Sequence, residues 1–427
     1  MFTDSTSTNL YRRDLGNNLV LKSVATPDDV QRVGAFNIYI HGQGLDTMTS
    51  HLINHHPHTH PDDWLFIEDT TTGEVVSALC LIPWTLNYAG VALKAGEVGI
   101  VGTRENYRRR GLIRALFARH HELLKAGEFH LSQIQGIPYY YRQFGYEYAM
   151  PLEGGMHLQL HQIPDDQAPS AQPYTFRLAE LIDIPTLMRL YDATMHDLDI
   201  CAPRDEAIWH YLLRWSPETE TAAQYWLVLD AAKQPVGYVA IQKYGFTNGL
   251  NISEDSRLSH GAAMAMLHQL KALAIERGKP FIRFHSHPNS ALLKTAQAWG
   301  GREEGRYAWQ IHLPDVGRLL RQIAPVLERR VADSPLAGFT ETVCLNLFRE
   351  AYDLRFAAGN LVAVEGPKVV DGSSFQLPPL LFAPLVLGYR SLDELHNAYP
   401  DVGVWGQSKF IADILFPKMD SYIYTMY

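Results

Sequence analysis

Residues 98–116 read VGIVGTRENYRRRGLIRAL. An apolar, strand-like run passes through a basic loop into a helix-like run. The apolar positions of that second run, Leu112, Ile113, Leu116, Phe117, Leu123 and Leu124, recur at three-to-four spacing. The first N–H groups of a helix lack partners within it and form an anion site, which the helix dipole reinforces. Arg108, Arg109, Arg110 and Arg114 add cations at that end, where a helix on its own favours acids. An anionic ligand would offset the conflict; a solvated basic face with an incidental glycine is the bland alternative. Gly111 lets the backbone approach a phosphate closely. A Walker P-loop is excluded, because no GKS or GKT occurs.

The elements that must hold this loop are legible around it. Short β-rich runs at 64–69, 75–82 and 98–103 predict strands, 111–125 predicts a helix and 129–136 a returning strand. The polar, Pro- and Ala-rich stretch 163–173 (IPDDQAPSAQP) predicts a linker. Beyond it a similar order reappears. A helix is expected over 182–196, a hairpin over 225–230 and 237–244, a helix over 259–278, a strand over 281–285 and a helix over 290–299. That order suggests a duplicated domain. From about Leu313 a helix over 316–328 and strands over 341–348 and 360–364 suggest a third domain. The expectation is a mixed α/β chain divided into residues 1–162, 174–312 and 313–427.

The run RRRGLIRAL after GIVGT resembles motif A of the GNAT acetyltransferases, Gln/Arg-x-x-Gly-x-Gly/Ala. Arg108 and Gly111 match its first two marked positions, and Ile113 stands where Gly or Ala is usual. Some 30 residues on, YYYRQFGYEYA resembles the motif B segment Y-x-x-F-G-F/Y. The branch it resembles is the enhanced-intracellular-survival (Eis) acetyltransferases. That resemblance implies a catalytic GNAT domain, a degenerate second GNAT-like domain and a C-terminal sterol-carrier-like domain.

The resemblance also implies the site. Acetyl-CoA, as co-substrate, would meet Val101, Gly102 and Thr103 at the strand end. Its pyrophosphate would meet the loop and helix start at Arg108, Arg109, Arg110, Gly111, Leu112, Ile113 and Arg114, and a further contact would come from Gly136 and Ile137. Tyr141 falls on the family's general acid, three residues before Phe144 and Gly145. The C-terminal carboxylate, here on Tyr427, would be the general base. The implied acceptor is a primary amine: a polyamine, an aminoglycoside-like molecule or a protein lysine. A homo-oligomer, hexameric in relatives, is implied too. The rival reading is a non-catalytic acyl-CoA- or lipid-binding protein that kept the fold.

Composition agrees with a globular chain: of 427 residues, 46% are hydrophobic and 19% charged. A net charge of −9 argues against a nucleic-acid partner, since phosphate attraction needs a basic surface. Cys80, Cys201 and Cys344, with no CxxC, argue against a disulfide framework. No run of 18 apolar residues occurs, and the start MFTDSTSTNLYRRDLG lacks a signal peptide's apolar core, so no membrane contact and a cytoplasmic location are expected. His51, His55, His56, His58 and His60 tempt a metal reading; without a nearby cysteine or open-site pattern a pocket edge or solvated loop is expected, and no metal. His285–Ser286–His287–Pro288 lacks the downstream Ser and Asp of a zinc isopeptidase, with Thr295 and Ala298 in their places. The loop before the helix of the second domain lacks the arginine cluster, so that domain is expected to bind no CoA and to serve packing. The run LPPLLFAPLVL at 377–387 is expected to be buried core rather than a lipid pocket.

Overall fold

Glu74–Tyr88 and Val91–Thr103 form one long antiparallel hairpin. Its turn residues Ala89 and Gly90 have φ of 46° and 91°. Two left-handed residues match the turn twist that a two-residue hairpin requires. This computed structural model describes residues 11–153, 155–165, 174–244, 247–305, 307–369 and 372–427. The sequence expectation saw only the ends of this hairpin, 75–82 and 98–103, because the polar and glycine-containing middle broke the apolar runs. Most of the predicted linker, 166–173, lies outside the described residues.

The hairpin is the centre of a mixed sheet. Its order is Arg12–Gly16, Leu19–Ser23, Trp64–Asp69, Glu74–Tyr88, Val91–Thr103, Leu131–Ile134, Tyr307–His312 and Glu147–Glu153, with Ile200–Cys201 beside the end of Glu74–Tyr88. Val91–Thr103 runs parallel to Leu131–Ile134, and the helix Leu112–Ala126 makes the crossover. A second sheet repeats the plan: Leu250–Asp255 runs parallel to Phe281–Phe284 across the helix His260–Glu276. Its order is Arg302–Glu303, Met156–Gln159, Phe281–Phe284, Leu250–Asp255, Pro235–Gln242, Ala223–Leu229, Thr175–Leu178. The architecture is mixed α/β, two sheets of one plan followed by a further α+β unit.

The two sheets exchange strands. Met156–Gln159 precedes the linker yet pairs with Phe281–Phe284 of the second sheet. Tyr307–His312 follows the second sheet yet inserts between Leu131–Ile134 and Glu147–Glu153 of the first. Sheet membership therefore crosses the expected divisions at 162 and 312. Each strand fills a position that the partner sheet would otherwise leave as an unpaired edge.

The third sheet is ordered Asn360–Lys368, Ala351–Ala357, Thr342–Asn346, Phe375–Gln376, Gly403–Val404. Against it pack the helices Val316–Gln322 and Ala324–Ala332, where a single helix over 316–328 was expected; Pro325 supplies the new start. Leu377, Leu381, Phe382, Leu385, Val386 and Leu387 are buried in the core. Among the described residues no helix is long and apolar enough to cross a membrane.

Candidate active site

Parallel pairing of Val91–Thr103 with Leu131–Ile134 ends at Glu97 opposite Gln133. Beyond it the strands part, and residues 98–103 have no ladder partner on that side. On the other side Ile100 and Val101 together oppose Leu79, between the pairs Cys80–Gly99 and Ala78–Gly102. This is a β-bulge, with Ile100 at φ 49°. A bulge bends its strand and re-aims the backbone groups around it. At Gly102 a Cβ would stand 2.9 Å from Cγ2 of Ile40 in the helix Pro27–His41, so the close approach of that helix needs glycine.

Past the parted strands lies a cleft of about 660 Å³. Val101, Gly102, Thr103, Arg108, Arg109, Gly111, Leu112, Ile113, Arg114, Ile137 and Tyr141 all line it. Gly111, at φ 78°, caps the helix with no side-chain hydrogen bond, and the first turn of that helix holds no acid. Its leading N–H groups are thus open to an anion. Arg109 and Arg114 are exposed and make no ion pair among the described residues. Arg110 stands apart from the cleft: its guanidinium lies 4.8 Å from the Tyr107 ring centre and donates to the Asn106 carbonyl at 3.1 Å. Tyr107 of the loop and Tyr140, Gln143 and Phe144 of the motif B segment also line the cleft, as does Ile40 of the helix Pro27–His41, which neither motif covers.

Tyr141 lies in the 3-10 helix Tyr140–Phe144, and its ring is packed among Phe117, Tyr140, Phe144 and Tyr146. Burial, with smaller contributions from Tyr140 and Tyr307, raises the phenol well above its ordinary value. It is therefore protonated across the physiological range. Gly136 touches neither cavity; it lies under the Tyr141 ring. Its carbonyl accepts from Tyr307 Oη and, at 3.1 Å, from Gln310 Nε2. Both donors sit on the exchanged strand, so the second half of the chain holds the turn that seats Tyr141.

A second cavity, about 490 Å³, opens on the other side of Val101, Ile137 and Tyr141, which line both. Glu97, Gln135, Glu220, Thr221, Gln242, Tyr244, Thr425 and Tyr427 are among its lining residues. Glu97 is 2% exposed, and its Oε1 accepts the Tyr427 hydroxyl at 2.8 Å. Burial pushes this carboxyl up to about 8, against the Tyr427 hydroxyl and the Trp84 indole that hold it down. Sequence reasoning passed over Glu97; the signal was an acid inside the apolar strand AGEVGIV, where only a partnered or functional carboxyl is tolerated.

Tyr427 is brought there by a buried tail. Ser421 bridges Ile200, the Tyr422 N–H donates to the Ile200 carbonyl at 3.0 Å, and Tyr422 Oη donates to the His285 carbonyl at 2.6 Å. Arg204 donates to the Thr425 carbonyl at 2.5 Å and forms a two-pronged pair with Glu254 at 2.8 and 2.7 Å. The ion pair is almost wholly buried.

The histidine run divides: His58 and His60 are exposed in the loop after residue 55, as expected, whereas the earlier members pack against the rest of the fold. His51 and His55 close the helix Leu45–His55, and His55 stacks on Trp215 with ring centres 3.6 Å apart. His56 is buried against Tyr211. Aromatic stacking across the two halves, invisible from local sequence, takes up these rings. Among the described residues no group of three His, Cys, Asp or Glu is placed to hold a metal ion.

Residues 28–149 match the family described as the acetyltransferase (GNAT) domain. No curated protein matches the chain. Several solved structures share the fold over nearly the whole length. A probable N-acyltransferase of unknown function from Enterococcus faecalis is 14% identical, with a TM-score of 0.72, covering 98% of this chain and 100% of that one. A GCN5-related N-acetyltransferase from Anabaena variabilis is 16% identical, with a TM-score of 0.67, covering 95% and 99%. Eis1 from Mycobacterium abscessus is 14% identical, with a TM-score of 0.58, covering 95% and 97%.

Proposed function

From a GNAT acetyltransferase domain at residues 28–149, we propose that the protein transfers an acetyl group from acetyl-CoA to a primary amine, by direct attack in a ternary complex. The observation that carries this reading is the meeting of two cavities at Val101, Ile137 and Tyr141. The cleft with the open helix start and free arginines suits an anionic co-substrate, and Gly111, where a Cβ would meet nothing within 4 Å, suits its close approach. The other cavity, with Glu97 and Glu220 among its walls and, among the described residues, no lysine or arginine, suits a cationic amine. A polyamine, an aminoglycoside-like molecule and a protein lysine share that chemistry.

The amine attacks the thioester carbonyl at the junction. Unpaired strand N–H groups at the bulge stabilise the oxyanion that develops there. Tyr141 gives a proton to the departing thiolate. A reference phenol lies about 1.5 units above a thiol, roughly 2 kcal/mol uphill. Burial that raises the phenol also raises a thiol in the same cleft, so the gap stays modest.

Proton removal from the ammonium falls to carboxyl groups gathered around Tyr427. The resemblance assigns the Tyr427 α-carboxylate. At a reference pKa of about 3.5 against about 10.4 for a lysine-type ammonium it faces a gap of about 7 units, roughly 9 kcal/mol. Glu97, pushed up to about 8, reduces that gap to about 2.4 units, roughly 3 kcal/mol. We assign Glu97 the larger share, with Tyr427 both orienting it and closing the cavity. The degenerate second sheet and the last unit, sterol-carrier-like in this reading, deliver that tail.

The test is CoA-thiol release from acetyl-CoA across polyamines, aminoglycosides and lysine peptides. Release with one amine class, falling on the order of 10²-fold or more in Tyr141→Phe with acetyl-CoA binding unchanged, is expected. Tight acetyl-CoA binding without release to any amine would overturn transfer in favour of an acyl-CoA-binding protein.

A further inference from the structure

The second sheet has a cavity of its own, in the place that the cleft occupies in the first. Leu250–Asp255 and Phe281–Phe284 are parallel, and past their ends lies a space of about 270 Å³. Asp255 and the loop to the helix His260–Glu276 form one wall, and His287 to Ala291 another. Asp420 and Tyr424 of the buried tail form a third.

The charges in this cavity do not cancel. Arg257 pairs with Asp197, and His287 Nε2 stands 2.8 Å from Asp420 Oδ1. The neighbouring Glu254 is committed to Arg204. Asp255 remains. It is 1% exposed, it lines the cavity, and neither carboxylate oxygen has a partner in ordinary hydrogen-bond geometry among the described residues. Burial pushes it up to about 6; the hydroxyls of Ser286 and Ser290 beside it, and His287, which faces Asp420, hold it down only in part. A buried carboxyl without a counter-ion is costly unless something brings one. Met195, Leu198, Leu258 and Ala291 give the cavity an apolar part, beside neutral polar residues such as Thr194 and Asn289.

We propose that this cavity is a binding site for a small organic monocation, a primary ammonium on a compact apolar body, with Asp255 as its counter-ion. The volume lies just under the range of drug-sized sites, which limits the body to a short chain or a single ring. The acids repel a pyrophosphate, so the site differs in ligand sign from the cleft of the first sheet. It stands independently of acetyl transfer.

The probe is phenethylammonium, titrated calorimetrically into the intact protein, with the neutral isostere 2-phenylethanol as control. Saturable binding is expected in wild type and in Glu97→Gln. It should weaken about tenfold or more in Asp255→Asn. Ala291→Leu, which fills the cavity without touching a charge, should weaken it too and carries the test if Asp255→Asn does not fold. The alcohol should not bind. Absence of saturable binding in wild type, equal binding in a folded Asp255→Asn and in Ala291→Leu, or loss confined to Glu97→Gln would each overturn the proposal. The last result would put the probe in the catalytic cavity.

Discussion

The ring of Tyr141 fills the space that a side chain on Gly136 would need. A Cβ built on Gly136 would stand 2.1 Å from ring atom Cδ2 and 2.2 Å from Cε2. The two positions are five residues apart, and one is glycine so that the other can lie flat across the turn. Gly136→Ala should therefore move Tyr141 rather than merely loosen the fold. Turnover should drop on the order of 10²-fold, the scale reached when a reacting group is misplaced by about 1 Å. Steady-state kinetics should place the loss in kcat, with acetyl-CoA affinity little changed. Unchanged kcat in a folded variant would refute the seating role.

The raised carboxyl of Glu97 makes two pH statements. Folded, it sits at about 8 against an ordinary 4.5, so the native state holds a proton that the unfolded chain has lost. Its contribution to stability is full below about 4.5 and is lost as pH rises through about 8. Wild-type melting temperature should thus fall more steeply than that of Glu97→Gln over this window. Activity should run the other way: kcat/KM rises towards about pH 8 as the carboxylate forms, and Glu97→Gln should flatten that limb. Melting curves and a pH–rate profile on the same two proteins check both.

Cations around the cleft should divide by geometry. Arg109 and Arg114 line it and are unpaired among the described residues, so Arg109→Ala and Arg114→Ala should each raise the KM for acetyl-CoA several-fold, more at low salt. Arg110 is turned onto Tyr107 and Asn106, and Arg110→Ala should change KM by no more than about twofold. A KM series at two ionic strengths distinguishes them. Equal effects from all three would mean a diffuse basic field in place of a built anion site.

Much of the cleft was legible because it is local. The loop 104–111 sits between its strand and its helix in sequence, so spacing alone placed its glycine and its arginines at one helix start. Arg110 shows the limit: the same run of three arginines contains one that turns away, because an aromatic neighbour three residues back takes it. The other cavity was illegible for a different reason. Glu97 and Tyr427 are 330 residues apart, and their contact depends on a tail threaded past the second sheet. No periodicity encodes that path. The same holds for Tyr307 and Gln310, whose importance lies in which sheet their strand joins, and for His55, whose partner Trp215 belongs to the other half of the chain.

The tail has one buried anchor whose removal should be felt far away. Arg204→Ala would strand Glu254 without its counter-ion and free the Thr425 carbonyl. Breaking a buried pair from one side costs about 3–5 kcal/mol. Thermal unfolding should shift down accordingly. In the surviving folded fraction, amine turnover should fall while acetyl-CoA still binds, since the displaced segment ends at Glu97. Equilibrium unfolding together with acetyl-CoA titration separates the two effects.

The traded strands make the two halves of this chain inseparable in a sense stronger than contact. A break in the backbone just after Asp165 would not release two independent proteins. Each fragment would keep a strand that belongs to the other, Met156–Gln159 on one side and Tyr307–His312 on the other. Made separately, the two pieces should be poorly soluble and inactive. Made together, they should reassemble into a working whole, and activity would then report their encounter: the fold is a natural candidate for a split reporter.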